Sequence, residues 1–303
     1  MPANVEILVE GEEESGSTAF RKYLLDPATP VRRSVAALFP SFCEYGGGPP
    51  RIYLGTKGIA HGRIRVTGGA QEIHSSNAPW IANPSWQLVA ALEKLQRGAN
   101  GFLERMALPH EARPVLEQLA EKFDPDAELR FRGTARYAIA GTTLERLDAV
   151  LTTTSMNIAS LATQPPDGRA IIPAAAEARF DLRLPPGVAP GAVLDGLREN
   201  LGEAELLVED AYPGHRFPLQ TPGVAALRAA YQSAGVEPQI WPWSIGAMPA
   251  YAFSNITDGL LIGGLGRGGN AHGVDEFVTL DGIDRFLASL LAWLPAIVVA
   301  GAR

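Results

Sequence analysis

The sequence predicts an α/β protein whose first domain is interrupted by a separate α+β domain. The apolar, β-branched stretch 5–9 is followed by three glutamates and a helical pattern, the order of strand, loop and helix in an α/β sheet. Residues 62–214 carry patterns in the order strand, helix, strand, strand, helix, strand. Helix and strand patterns alternate again from residue 215 onward. These observations divide the chain into a first part (1–61), an insertion (62–214) and a second part (215–303).

The composition is that of an ordinary soluble globular protein. With 303 residues, of which 46% are hydrophobic and 19% charged, the chain is long enough to bury a large core. A formal net charge of -7 provides no basic footprint, so we expect no nucleic-acid partner. Cys43 is the only cysteine, which excludes a disulfide within the chain and a cysteine-based zinc site. The first residues lack the pattern of a signal peptide, so we expect a cytoplasmic protein.

The C-terminal stretch 286–302 carries no charge, which raises the question of a membrane span. It is short for a span, and Ser289 and Pro295 interrupt it. Apolar residues in and just before it recur at helical spacing. We therefore predict a terminal helix packed on a sheet, with no membrane association.

The acidic run Glu12–Glu14 follows the predicted strand 5–9, and Ser17 or Thr18 is a plausible N-cap of the helix that comes next. This layout places the glutamates at the carboxyl end of a strand, the edge where open α/β sheets bind their ligands. A solvated acidic turn is the alternative interpretation of such a run.

Glu44 is the next carboxylate of interest. It follows a short apolar run and precedes three glycines and two prolines, so it is predicted to lie on a turn. An exposed loop carboxylate without a function is the alternative.

The insertion contains six predicted elements. They are a strand (62–67), a helix (84–95), two strands (156–161 and 176–185), a helix (188–201) and a strand (204–209). This order implies a ferredoxin-like, four-stranded sheet with helices on one face. The stretch 99–154 is predicted to be mainly helical and irregular, and it contains no convincing motif.

The second part contains a buried strand at 259–263 that leads into a glycine cluster. No helix begins directly after these glycines, so a dinucleotide-binding loop is disfavoured. The simpler interpretation is a flexible turn that positions His272.

Seven short motifs, each unspecific alone, occur in one order along nearly the whole chain. They are Glu-Gly-x-Glu-Glu-x-Gly-Ser (10–17), Glu-x-Gly-Gly (44–47), Gly-x-x-x-x-x-His-Ser-Ser (68–76), Asn-Pro-x-Trp (83–86), Asn-Ile (157–158), Phe-Asp-Leu-Arg-Leu-Pro (180–185) and Asn-Ala-His-x-x-x-Glu (270–276). Together they make the sequence resemble the co-catalytic zinc peptidases, a family that includes aminoacylase, carnosine dipeptidase, glutamate carboxypeptidase, acetylornithine deacetylase and succinyl-diaminopimelate desuccinylase. The resemblance implies a zinc-peptidase-like catalytic domain with an inserted lid and dimerisation domain.

The resemblance also implies roles for the carboxylates. Glu13 would be the general base, and Glu12 a bystander facing solvent. Glu14 and His272 would bind one zinc ion, and Glu44 would bind a second. Oxygen and imidazole donors without thiolates suit catalytic zinc, with manganese or cobalt as alternatives.

Within the insertion, the resemblance implies that His74 reaches the active site of a partner protomer and polarises the scissile carbonyl. Asn157 and Arg183 would face the substrate, and Arg183 would hold its carboxylate, because a guanidinium pairs with a carboxylate bidentately. A surface arginine and a capping histidine are the alternatives for Arg183 and His74. A homodimer through the insertion is implied as well.

Two departures from the family pattern stand out. The family carries an upstream His-x-Asp and a second, bridging aspartate, whereas no His-x-Asp occurs in this chain. We therefore expect the catalytic domain to be incomplete at its N-terminus, through a truncated gene model, a split gene or a decayed protein. In addition, Ala247 stands where the family often has a serine that contacts the substrate.

Two hypotheses follow. The first is a zinc-dependent hydrolase of amide bonds in dipeptides or N-acyl amino acids with a free carboxylate. The second is a truncated or non-catalytic dimerisation or binding protein of the same fold.

Overall fold

The computed structural model describes residues 4–96, 101–166 and 169–301. The α-helices in these ranges are α1 (Thr18–Leu25), α2 (Pro84–Leu95), α3 (Arg113–Lys122), α4 (Pro125–Phe131), α5 (Thr143–Thr152), α6 (Pro190–Asn200), α7 (Pro222–Ser233) and α8 (Leu280–Gly301). The strands are β1 (Ala37–Pro40), β2 (Arg51–Tyr53), β3 (Gly55–Thr67), β4 (Ile73–His74), β5 (Phe102–Arg105), β6 (Thr153–Gln164), β7 (Ile171–Ile172), β8 (Ala175–Leu184), β9 (Glu205–Tyr212), β10 (His215–Arg216), β11 (Gln239–Trp241), β12 (Ser244–Ala247), β13 (Leu260–Gly263), β14 (Gly268–Gly269) and β15 (Phe277–Val278).

The chain folds into two compact units. The first contains residues 1–56, 108–151 and 215–303, and the second contains 57–107 and 152–214. The predicted insertion, 62–214, therefore needs a correction, because its middle part belongs to the first unit. The physical reason is apolar burial: helices α3 and α5 contribute Leu116, Leu119 and Leu151 to the core that also contains Trp243.

A mixed four-stranded sheet forms the centre of the first unit, in the order β1, β13, β2, β11. β1 is parallel to β13, β2 is parallel to β11, and β13 is antiparallel to β2. Leu260 belongs to the core cluster of α3 and α5, whereas Leu261 belongs to the cluster of α7 and α8. Successive side chains of a strand point to opposite faces, so helices cover both faces of this sheet. The predicted α/β fold class is confirmed.

The predicted strand at 5–9 does not form. Residues 4–10 have no regular secondary structure, and Ile7 and Val9 are exposed, while Leu8 packs against the core. A strand requires a neighbour for its backbone hydrogen bonds, and no strand among the described residues pairs with this segment. The prediction of a strand at 5–9, which rested on the β-branched composition of this stretch, is therefore wrong.

The second unit is built on an antiparallel sheet in the order β9, β3, β8, β6, β5. Helices α2 and α6 pack on it in one cluster through Leu88, Leu95, Leu194 and Leu197. The first four strands have the predicted ferredoxin-like arrangement, with the last strand of the motif next to the first. The edge strand β5 was not predicted, since its residues lie in the stretch expected to be helical.

Helix α8 is the predicted terminal helix. By length and apolar composition it is the one candidate for a membrane span among the described residues. However, Trp293 and Ile297 pack with α7 in the core of the first unit, and the Trp293 indole N–H donates to the carbonyl of Gly223 at 3.3 Å. One side of α8 is thus a core element, as predicted. The uncharged stretch 286–302 ends at Ala302, which lies outside the described residues.

Candidate active site

The acidic run forms a single 3-10 turn, Glu13–Ser15, which ends at Gly16. Gly16 has a φ of 92°, a left-handed conformation that suits glycine. The carboxylate of Glu12 accepts a hydrogen bond from the backbone N–H of Ala19 at 3.0 Å, in the first turn of α1. Glu12 thus stabilises the helix start, and the turn presents Glu13 and Glu14.

Glu13 and Glu14 lie close to His272. The Nδ1 atom of His272 is 3.7 Å from a carboxylate oxygen of Glu14, and both side chains are exposed. Lost solvation raises the pKa of Glu13, and the charges of Glu14 and Glu10 raise it further, whereas the charge of His272 lowers it. The net effect is a raised pKa, which brings the carboxyl group closer to the range useful for a general base.

The loop that carries His272 is held by its own hydrogen bonds. Asn270 and His272 have φ angles near 60°, and the side-chain amide of Asn270 donates to the carbonyls of Val274 and Asp275. Asparagine adopts this left-handed conformation more readily than most residues. The glycine cluster therefore leads into a structured turn that places His272 beside Glu14.

Glu44 is only 7% exposed, so the alternative of an exposed loop carboxylate is wrong. Its Oε2 atom accepts hydrogen bonds from the backbone N–H of Gly266 and from Nε of Arg285, the latter at 3.0 Å. Its Oε1 atom accepts a further bond from Nη2 of Arg285. Burial by itself raises the pKa of Glu44, but the hydrogen bonds and charge of Arg285, the N–H of Gly266 and the charge of Arg267 outweigh it, so the net pKa is lowered.

The described residues bring together too few donors for a closed metal site. Within 4–96, 101–166 and 169–301, no group of three His, Cys, Asp or Glu residues is placed to hold a metal ion. Glu14 and His272 have the right chemistry for zinc, but they are two donors. Both oxygens of Glu44 are already bonded to Arg285 and Gly266. The predicted two-zinc donor set is therefore not assembled by these residues.

In the second unit, His74 precedes a 3-10 turn, Ser75–Asn77, and caps it. The Nδ1 atom of His74 accepts a hydrogen bond from the backbone N–H of Ser76 at 3.2 Å. Because a backbone N–H can only donate, Nδ1 is the acceptor, and the neutral ring carries its proton on Nε2. His74 is therefore a capping residue, as the alternative interpretation held. Its ring is exposed, and Nε2–H remains as a hydrogen-bond donor.

Asn157 and Arg183 are joined by Asp181. The Asn157 amide donates to one carboxylate oxygen of Asp181 and Nε of Arg183 donates to the other, both at 2.9 Å. Asn157 faces Asp181 across the β6–β8 pair, and Asp181 and Arg183 share a face of β8. The structure thus brings Asn157 and Arg183 together, and Asp181 was not named by the sequence reasoning.

Lys57 is a second residue that the sequence reasoning missed. It is 3% exposed, and its ammonium donates to the carbonyl of Thr153 at 2.7 Å. Burial, followed by the positive charge of Arg183, lowers the pKa of Lys57 to about 7. Two cationic groups near one another favour an anionic ligand. In the sequence Lys57 stands between Thr56 and Gly58, outside the predicted strand 62–67, and no local pattern singles it out.

The comparisons with known proteins concern the family and the fold of the chain. A mixed α/β unit and a ferredoxin-like antiparallel sheet unit define a two-unit α/β protein. Residues 54–207, just over half of the chain, match the family model of the peptidase dimerisation domain, M20_dimer. The chain belongs to the M20 peptidase dimerisation-domain family. A comparison with the curated proteins gave no match.

Solved structures of similar fold include three peptidases. An M20 family metallo-carboxypeptidase, Sso-CP2 from Sulfolobus solfataricus, superposes with a TM-score of 0.83 at 23% identity, over 96% of this chain and 69% of that one. The dipeptidase Dug1p from Saccharomyces cerevisiae gives a TM-score of 0.81 at 17% identity, over 95% and 64%. Human carnosine dipeptidase 1 gives 0.74 at 18% identity, over 97% and 66%. The chain spans about two thirds of the length of these proteins, and the likeness shows the fold.

Proposed function

We propose that this chain takes part in the hydrolysis of amide bonds in small substrates with a free carboxylate, such as dipeptides or N-acyl amino acids. The grouping of Glu13 with the Glu14–His272 pair carries the proposal. A carboxylate base beside an imidazole and a second carboxylate is a suitable set for activating water. The family of the chain and the peptidase folds it resembles support the same reaction class.

In this proposal Glu13 takes a proton from water and passes it to the leaving nitrogen. Arg183, held by Asp181, binds the substrate carboxylate, and Asn157 lies beside it. His74 donates a hydrogen bond from Nε2 to the carbonyl oxygen of the scissile bond in the active site of a partner protomer. A donor aimed at a developing oxyanion accounts for about a hundredfold in rate in comparable sites.

Zinc is the proposed metal, with manganese or cobalt as alternatives. Glu14 and His272 are the two donors proposed for it, because a carboxylate oxygen and an imidazole nitrogen are common zinc ligands. Glu44 is left out of this set because both of its oxygens are bonded to Arg285 and Gly266. Further donors would come from outside the residues described.

The proposed assembly is a homodimer through the second unit. Trp80 and Trp86 are 81% and 73% exposed, and Val89, three residues after Trp86 on α2, is exposed as well. Exposed aromatic side chains of this size mark interaction surfaces. Sedimentation of Trp86→Ser should show a larger monomer fraction than the wild type, whereas Leu291→Ser on α8 should not.

The test of hydrolysis uses the purified protein with a panel of dipeptides and N-acetyl amino acids in the presence of zinc. We expect turnover that a chelator abolishes and that Glu13→Gln reduces by about a thousandfold, within the range for loss of an acid–base group. Glu12→Gln is the matched control, because Glu12 contacts Ala19 instead. Full activity of Glu13→Gln, or activity that chelators do not change, would disprove the proposal.

The second candidate function is a non-catalytic dimerisation or binding protein. The incomplete donor set among the described residues favours it. This function predicts a stable dimer that takes up no zinc. Metal analysis after dialysis against zinc decides between the two, because about one or two equivalents of tightly bound zinc per chain would exclude the non-catalytic candidate.

A further inference from the structure

We infer that the guanidinium of Arg285 is the fixed counterion of Glu44 and stands in place of a metal ion at that carboxylate. The inference rests on the proposed function in one respect only, namely that Glu44 was a candidate metal ligand for it. It changes the role of Glu44 from metal ligand to structural anchor, and it makes Arg285 a positioning residue.

The first argument is that three donors occupy the carboxylate of Glu44 and that both of its oxygens accept hydrogen bonds. Nε and Nη2 of Arg285 bond to the two different oxygens of Glu44, the fork geometry of a bidentate pair. The N–H of Gly266 bonds to Oε2 as a third donor. The backbone of Glu44 is tied to the same loop, because its N–H donates to the carbonyl of Gly266 at 3.0 Å.

The second argument is charge. A divalent ion that used the remaining lone pair of Oε1 would lie beside the guanidinium, and like charges at such distances repel strongly where water is scarce. Glu44 is buried and the Arg285 side chain is 35% exposed, so water would screen the repulsion only in part. Arg285 would therefore have to leave before a metal could bind, and Glu44 would lose both of its bonds to the guanidinium.

The third argument is that the start of α8 is anchored around Arg285. The ring of Phe286 stacks on Phe42 with centroids 4.7 Å apart. The hydroxyl of Ser289, one turn further, accepts a hydrogen bond from the N–H of Leu265 at 3.2 Å. Contacts made one residue and one turn after Arg285 thus hold in place the helix that carries its guanidinium.

The test is a double-mutant cycle that needs no activity measurement. Urea unfolding midpoints are measured for the wild type, Glu44→Gln, Arg285→Gln and the double variant, each with EDTA and with zinc chloride. We expect each single variant to lower the midpoint and the double variant to lower it by clearly less than the two losses combined. This non-additivity should be equal with and without zinc, and any shift that zinc causes should be the same in the wild type and in Glu44→Gln.

Two results would overturn the inference. One is additivity of the two losses, which would mean that Glu44 and Arg285 are not coupled. The other is a zinc-induced shift that is present in the wild type and lost in Glu44→Gln. The exposed pair of Arg33 and Asp258 provides a control cycle, in which little coupling is expected.

If Glu44→Gln does not fold, the wild type alone decides the question. A crystal structure grown with zinc chloride should show Arg285 still bonded to both oxygens of Glu44. Zinc bound to Glu44 with Arg285 displaced would refute the inference. Because neither experiment involves a substrate, an inactive protein would contradict the proposed function and leave this result intact.

Discussion

Nε of Arg183 donates a hydrogen bond to Oδ1 of Asp181 at 2.9 Å, two residues away on the same face of β8. The other oxygen of that carboxylate accepts from the amide of Asn157 on the neighbouring strand. Asp181 therefore holds both side chains that are proposed to face the substrate. Because both oxygens of the Asp181 carboxylate accept hydrogen bonds from Asn157 and Arg183, Asp181 is a positioning residue.

Asp181→Asn tests this relationship. The variant keeps the size of the side chain but loses the charge-assisted bond to Arg183, so we expect KM for carboxylate-bearing substrates to rise about tenfold, the equivalent of about 1.4 kcal/mol. The value of kcat should change much less, because Asp181 does not touch the reacting bond. Steady-state kinetics measure both constants, and Arg183→Lys should show the same split between KM and kcat. An unchanged KM in both variants would contradict the assignment.

The tautomer of His74 leads to a second prediction. Since Nδ1 accepts from the Ser76 N–H, the donor available to a substrate is Nε2–H. His74→Ala should lower kcat about a hundredfold, the usual effect of removing one oxyanion donor. His74→Gln can place an amide N–H near the position of Nε2 and should recover part of the rate. Ser75→Ala is the control, because it keeps both the backbone N–H of Ser76 and the Ser76 hydroxyl, which lies 3.0 Å from Nδ1, and it should stay near the wild type.

The third prediction concerns Lys57 and the dependence of the free energy of unfolding on pH. Its pKa in the folded protein is about 7, whereas its ordinary value is 10.5. Between these values the unfolded chain binds a proton that the folded chain does not, so this group makes the free energy of unfolding rise with pH from about 7 towards 10.5. Below both values the buried ammonium opposes folding.

Lys57→Met removes this contribution. Relative to the wild type, the variant should be most stable at acidic pH and should lose that advantage as the pH rises through the window. Urea unfolding at several pH values measures the difference, and Lys94→Met, at an exposed position of α2, serves as the control. Parallel pH profiles of the wild type and Lys57→Met would refute the prediction.

The fourth prediction concerns Gly266, whose N–H donates a hydrogen bond to the carboxylate of Glu44. The residue has a φ of 101°, and a Cβ built there would lie 2.4 Å from the carbonyl oxygen of Gly282. Gly266→Ala should therefore lower the free energy of unfolding by about 3 kcal/mol or more, from backbone strain and the clash together.

Gly133→Ala separates the two causes. Gly133 also has a positive φ, of 64°, but a Cβ there meets nothing within 4 Å. This variant should lose only about 1 kcal/mol, the cost of a left-handed alanine. Chemical denaturation measures both variants, and equal losses would show that the contact with Gly282 does not matter.

Local patterns along the chain are enough to predict the class of fold and the ferredoxin-like insertion. Strand alternation in stretches such as 62–67 and 176–185 and the helix at 84–95 are local patterns, and their order along the chain is enough to imply the sheet arrangement. The motif around Glu13 and Glu14 was local too, and the nearby His272 was found through its own motif.

Contacts between residues far apart in the sequence could not be predicted from local patterns and became known from the folded structure. Arg285 lies 241 positions from Glu44, and nothing in the spacing of charges predicted that it would take both carboxylate oxygens. Residues 108–151 belong to the first unit because their apolar side chains are buried in the core of that unit. The stretch 5–9 has the composition of a strand but no partner among the described strands. Strand formation, burial and ion pairing each need a partner that lies elsewhere in the chain. The local sequence does not show which residues the fold will bring there as partners.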